Sequence, residues 1–245
     1  ALTIMDWRNI WIIISVTIIL FLPLASYFLV KEVKLSSRED NNEVIKENIK
    51  QWKRSEVIKD YRFIIIALNM LAMPWIATGI FVYQSFILSA KNWGEYIIAQ
   101  SFMVYSIASV FTLFVAGYLI DKFTSRKLLI YMNIPFLISL LILIYFKSPV
   151  SSFFFLGLIG VSNGFANVLG SSTWAELYGV KFIGSIKALT TALMVFSTAF
   201  GTAFFGLMID FDFSIEQISM ISGGYILISL ILLFLIKAKL NPTIL

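Results

Sequence analysis

An all-α, polytopic transmembrane fold is what the sequence predicts, on three observations. Seven stretches are long and apolar enough to cross a bilayer, charged residues are only 13% of the 245, and the positive ones collect on one side of the expected spans. A bilayer core about 30 Å thick needs roughly 20 apolar residues as helix. The stretches 9–30, 63–88, 96–116, 128–146, 151–173, 185–209 and 217–236 qualify. Hydrophobic residues make up 59% of the chain, including 23 Phe, 8 Met and 6 Trp. Soluble domains carry about 25% charged residues. The surplus apolar surface is therefore expected to face a lipid bilayer.

The first span follows Asp6-Trp7-Arg8 and is greasy throughout. Residues 31–62 form the only long polar segment. It opens with a run from Ser36 to Asn42, then places Ile45, Ile49 and Trp52 at i, i+4, i+7, the pattern of a helix lying on the membrane surface. The second span is long and contains Pro74, which predicts a kink or a tilt. Lys147-Ser148-Pro149 joins the fourth and fifth spans too tightly for anything but antiparallel neighbours. The fourth span has only Asn133 and Ser139 as polar residues, and the last is almost as apolar.

The other four spans are more polar. At about 100° per residue, Gly160, Asn163, Gly164, Asn167 and Ser171 share one arc of the fifth span. Amide side chains cannot face acyl chains unpaired. In the sixth span Thr191, Thr198 and Thr202 align, beside a second strip of Thr190, Ser197 and Gly201. In the third, Ser101, Tyr105 and Thr112 align, and in the second Asn69, Tyr83 and Gln84 point roughly the same way. Candidate pathway residues are thus Asn69, Tyr83, Gln84, Tyr105, Asn163, Asn167, Thr191 and Thr198. Gly160-x-x-x-Gly164 also suits close helix packing.

Sixteen of the 19 Lys and Arg fall in 31–62, 117–127, 174–187 and the C-terminal tail, leaving Arg8, Lys91 and Lys147 opposite. That asymmetry puts the N-terminus outside and the C-terminus in the cytoplasm. It also accounts for the net charge of +5 without a nucleic-acid partner. An outside N-terminus beginning at Ala1, with an odd number of spans, leads to the expectation that an upstream part is missing.

Gly117-Tyr-Leu-Ile-Asp121 and Gly206-Leu-Met-Ile-Asp210 share the form Gly-x-x-Ile-Asp. Each ends the middle span of a triplet, spans 2–4 and 5–7, so the two Asp are expected on opposite sides. Inverted three-helix repeats leave this pattern.

Several activities are excluded or disfavoured. With no Cys and no His there is no thiolate or imidazole metal ligand, and no cofactor or metal is expected. No nucleophile–base pair or cluster of in-membrane carboxylates suggests an enzyme. A seven-span receptor or rhodopsin is the alternative, but a retinal protein needs a buried Lys and the last span has none before Lys237. No Asp, Glu, Lys or Arg lies near the middle of any span.

Gly117-Tyr-Leu-Ile-Asp121-Lys122-Phe-Thr-Ser-Arg126-Lys127 resembles the signature loop of the major facilitator superfamily (MFS), Gly-x-x-x-Asp-Arg/Lys-x-Gly-Arg-Arg/Lys. Gly117, Asp121, Lys122 and Arg126 match, while Thr124 and Ser125 depart from the family's Gly and Arg. Asp6-Trp7-Arg8 looks like the entry to the family's sixth helix. Trp174-Ala-Glu176-Leu-Tyr178-Gly179, followed by Gly184, resembles the junction of the tenth and eleventh helices in bacterial members.

The resemblance implies that the seven spans are helices six to twelve. Residues 1–30 would be the last helix of a missing N-terminal half, 31–62 the central cytoplasmic loop with its interfacial helix, and 63–245 the C-terminal six-helix bundle. It further implies a secondary active transporter, in the cell inner (plasma) membrane, that moves a small organic solute by alternating access. The family's sixth, ninth and twelfth helices face lipid, matching the three greasiest spans. Asp121 would clamp the inward gate at a helix N-terminus of the first half, with Lys122 and Arg126 holding neighbouring carboxylates or lipid phosphates. Reporter tags inserted at residues 121 and 210 should read out from opposite compartments; tags in the same compartment would end the inverted-repeat reading.

Overall fold

The computed structural model describes residues 6–30, 50–241 and 243. Two compact units are present, 1–47 and 48–245. The first contributes α1 (Trp7–Val30), a 24-residue helix whose side chains from Trp11 to Leu24 are exposed along their length. Ile45 and Ile49, two of the three residues of the expected surface stripe, lie outside the described residues.

The second unit contains α2 (Arg54–Val57), α3 (Tyr61–Val82), α4 (Gln84–Lys91), α5 (Glu95–Phe123) and α6 (Ser125–Met132). It continues with α7 (Ile134–Tyr145), α8 (Ser151–Tyr178), α9 (Ile183–Asp210), α10 (Ile215–Ile236) and a 3-10 turn at Lys237–Lys239. Six helical spans in this unit are long and apolar enough to cross a membrane, with α6 and α7 together forming one of them.

Local chemistry places the breaks. The helix runs on through Pro74 and stops at Tyr83, whose ψ of 28° leaves the helical range. The expected kink site is therefore not where the hydrogen-bonding ladder ends. Asn133 separates α6 from α7, with Pro135 just inside α7, where its missing N–H costs nothing. Ser214 caps α10 by accepting from the Gln217 amide, while Gln217 Oε1 accepts from the Ser214 amide.

The packing has a two-fold pattern. α5 lies along α8 and α9 along α3; α7 packs on α8, α10 on α3, and α7 on α10. Exchanging the triplet α3/α5/α6–α7 for α8/α9/α10 maps this pattern onto itself. Residue detail agrees. The two Gly-x-x-Ile-Asp segments are 89 residues apart, and the same shift carries Trp75 to 164 and Thr112 to 201. In one pair of helices, a β-carbon at Gly164 would lie 2.6 Å from Ser109 O and 2.7 Å from Thr112 Cβ. In the other, a β-carbon at Gly201 would strike Trp75 O. These two crossings occupy equivalent positions in the two triplets.

Two buried clusters stack along the bundle. One gathers Trp75, Ile87, Trp93, Phe136, Phe155, Phe205 and Ile218; the other gathers Phe63, Leu129, Met132, Trp174, Tyr178, Ile186 and Leu233. Between them, three spans share a polar contact. Asn133 Nδ2 donates to Asn69 O at 2.6 Å, and Asn69 Nδ2 donates to Ser229 Oγ at 3.3 Å, all three residues being buried.

The ends of the bundle hold the ions. At one end Asp60 caps α3 through the Arg62 amide, accepts from Arg62 Nε at 2.9 Å, and takes the Tyr178 hydroxyl at 3.2 Å. The Trp52 amide donates to Tyr178 O, so the segment entering α2 is strapped to the end of α8. At the opposite end Lys91 Nζ meets Glu216 Oε1 at 2.7 Å. Lys91, which the charge count places among the three outer cations, has a side chain wholly removed from solvent, with Glu216 one-third exposed. Its position at the last residue of α4 and that of Glu216 in the first turn of α10 both suit the helix dipoles.

Replacing Gly201 with Val should lower the thermal stability of the detergent-solubilised chain by the equivalent of about 1–3 kcal/mol, since the Trp75 backbone cannot yield as a side-chain tip could. Gly224→Ala, where nothing lies within 4 Å, serves as the neutral control. Equal melting of the two variants would remove the crossing from its structural role.

Candidate functional site: a neutral cavity among four spans

A cavity of about 290 Å³ opens between α3, α8 and α9, with Tyr105 of α5 at its edge. No residue of α7 or α10 lines it. The walls are therefore the second, third, fifth and sixth spans, the four that the sequence shows to be polar. α3 supplies an i, i+3, i+4, i+7 stripe through Ala67, Met70, Leu71, Pro74, Ala77, Thr78 and Phe81. Pro74 has no N–H for the carbonyl of Met70, so a backbone acceptor loses its helical donor on a turn bordering the cavity. α9 contributes Thr190, Leu193 and Met194, and Trp174 of α8 forms part of the wall near the Tyr178 end.

Both amide side chains come from α8. The arc read from its sequence divides in two. Gly160 and Gly164 press against α5, while Asn163 and Asn167 line the cavity. Asn163 Nδ2 donates to Ser109 Oγ at 2.9 Å, and Asn167 Nδ2 donates to Asn163 O at 3.0 Å. Both amide NH₂ groups are thus engaged, and neither amide oxygen has a donor among the described residues. The Tyr105 hydroxyl also has no hydrogen-bond partner among them. Its ring stacks edge-on to Phe81 at 5.4 Å. Among the lining residues none is Asp, Glu, Lys or Arg.

Of the eight candidate pathway residues, Tyr105, Asn163 and Asn167 come together here. The other five are elsewhere. Asn69 is buried in its contact with Ser229 and Asn133. Tyr83 caps α3 and lays its hydroxyl over Gly206. Gln84 borders a much smaller crevice with Ile80, Phe102 and Phe155. Thr198 turns its hydroxyl back to Val195 O at 2.7 Å, and Thr191 is exposed outside the lining. Thr78 and Trp174 were not singled out by periodicity; the Met70, Pro74, Thr78 spacing was the signal available. Thr190, from the neighbouring strip of α9, stands where Thr191 was expected.

The loop from Gly117 to Arg126 sits at the Asp60 end. Asp121 and Lys122 are exposed, and Asp121 has no partner among the described residues. Arg126 Nε meets Glu176 Oε1 at 2.9 Å, and its Nη1 donates to Asn241 Oδ1 at 2.8 Å and Leu240 O at 3.2 Å. Glu176 Oε2 accepts from the Ser125 amide at 2.9 Å and from the Ser125 hydroxyl. Ser125 thus receives the carboxylate that Arg126 neutralises, linking α6 to α8. Thr124 has φ 73° and ψ 146°, a conformation that favours glycine, and its hydroxyl is buried without a partner. The backbone keeps a glycine-type turn under a β-branched side chain.

Thr124→Gly should raise the melting temperature, by the equivalent of about 1 kcal/mol, because the cost of such a backbone conformation for Thr is of order 1–3 kcal/mol and part of the gain is returned to unfolded-chain entropy. Thr124→Ala, which keeps the β-carbon, should not reproduce that gain. A lower melting temperature for the Gly variant would show that Thr124 is not strained.

The family model described as Major Facilitator Superfamily matches residues 1–202. The chain is also similar to a solved structure, the in meso crystal structure of the POT family transporter PepTSo, with a TM-score of 0.59 and 17% identity over 75% of this chain. The match covers 38% of that protein, so this chain spans well under half of its length. No curated protein matches the chain.

Proposed function

This chain belongs to the Major Facilitator Superfamily and is a multi-pass membrane protein, and we propose that it is part of a transporter that carries a small organic solute by alternating access, with the α3/α8/α9 cavity as its share of the pathway. One observation carries the reading. Asn163, Asn167 and Tyr105 bring polar atoms without partners among the described residues to a cavity walled by four spans and lined, apart from Thr78 and Thr190, by apolar groups. Sites for small organic molecules combine an apolar wall with a few convergent polar groups. The unpaired amide oxygens suit a solute that offers O–H or N–H donors, and the absence of lining charge favours a neutral one over an ion.

The six-helix unit is, on this reading, one half of a two-half transporter. α5 and α9 support it. Only 17% of each span is buried, against 39–61% for the other four, although both carry hydroxyl-bearing residues. Helices with such uncovered faces suit a second bundle packed across the cavity. Asp121, exposed and unpartnered among the described residues, would on this reading meet a helix N-terminus of that bundle. The larger number of Lys and Arg at its end of the bundle makes that end the cytoplasmic one.

Co-expression with a first-half partner supplying the five remaining spans should give uptake from a panel of radiolabelled neutral solutes, with neither part active alone. Asn163→Leu should cut uptake at least tenfold while leaving the melting temperature within a few degrees. Asn69→Leu should act chiefly on stability. Asp121→Asn should slow turnover without loss of membrane insertion. Full uptake by this chain by itself would refute the two-half reading, and an unimpaired Asn163→Leu variant would remove the cavity from the pathway.

A further inference from the structure

A second pocket, of about 500 Å³, lies between the start of α6 and the end of α10, lined by Arg126, Lys127, Phe234, Leu235, Lys237 and, from the turn that follows, Ala238, Leu240 and Asn241. We propose that it binds the phosphate headgroup of an anionic phospholipid. The inference depends on the helices crossing a membrane and is independent of the solute carried.

The pocket is placed by topology at the membrane boundary, since α6 begins a span there and α10 ends one. Its wall is built. Arg126 holds Leu240 O and Asn241 Oδ1, folding the turn after α10 across the start of α6, and Leu240 is buried in the apolar cluster below.

Charge selects the ligand. Three cations line the pocket and no acid does. Glu176 neutralises Arg126, but Lys127 and Lys237 make no ion pair among the described residues, which leaves two positive charges facing one opening. A phosphodiester meets that excess. Zwitterionic headgroups bring their own cation and gain less. Beneath the charges, Phe234 and Leu235 are 63% and 71% exposed on the outward face of α10, an apolar track on which acyl chains of the same lipid can lie. Free phosphate would leave that track uncovered. Basic pockets beside spanning helices are suited to anionic headgroups, and each Lys near the surface contributes about fivefold in affinity.

The test is native mass spectrometry of the full chain in neutral detergent, titrated with phosphatidylglycerol. The wild type should bind one phosphatidylglycerol well ahead of phosphatidylcholine. A double variant, Lys127→Gln with Lys237→Gln, should bind roughly twentyfold more weakly. Lys127→Arg with Lys237→Arg, which keeps the charge, should bind as the wild type. So should Lys181→Gln with Lys187→Gln, two substitutions outside the pocket. Millimolar inorganic phosphate should not displace the lipid. Undiminished binding by the first variant, equal loss in the control pair, equal uptake of phosphatidylcholine, or displacement by phosphate alone would each overturn the proposal.

Discussion

In hydrocarbon, apolar side chains gain little by leaving lipid for one another, so six spans need a further reason to stay together. The close approach of two helix pairs supplies it. At Gly164 the backbone of α8 comes against Ser109 and Thr112 of α5, and at Gly201 that of α9 comes against the Trp75 carbonyl of α3. Once the pairs are formed, α7 and α10 fill the remaining face by packing on α8, on α3 and on each other. The cavity follows from the same arrangement. α3 and α9 are drawn together at Gly201, α5 and α8 at Gly164, and the residual space between the pairs is where Met70, Thr78, Asn163 and Thr190 meet.

Much of this was legible in the sequence, and the reasons for the remainder are physical. Length and hydropathy gave the spans, because a bilayer demands a minimum run of apolar helix. The Gly-x-x-Ile-Asp recurrence gave the triplets. Polarity gave the four spans that wall the cavity. Periodicity could show that Asn69 and Asn163 sit on polar faces, but not what each face meets. Asn69 finds Ser229 and Asn133, 160 and 64 residues away, whereas Asn163 finds Ser109 and open space. Tertiary partners decide such cases. Likewise, the departure of Thr124 from the family's glycine was visible, but not that the chain would retain the glycine conformation beneath it.

The distribution of charge has one logic throughout the second unit. Ion pairs sit at the two ends, at Asp60–Arg62 and Arg126–Glu176 on one side and Lys91–Glu216 on the other, while the cavity between the two apolar clusters carries amides, hydroxyls and rings. A fixed charge near the middle of a span is costly unless paired. Placing charges at the ends stabilises loop and helix termini without presenting an electrostatic barrier to a neutral solute in the middle.

The Lys91–Glu216 pair has a consequence for biosynthesis. The two residues are 125 positions apart, and the enclosed ammonium has the Glu216 carboxylate as its counter-charge. At about 5–20 residues per second, the ribosome needs some 6–25 s to make the intervening chain. Throughout that interval Lys91 must remain hydrated at the bilayer edge, because a buried ammonium without its carboxylate is strongly unfavourable. Docking of α10 is therefore a late event in assembly, and chains that stall before residue 216 would leave the membrane with an end of the bundle unclosed and a lysine still in water.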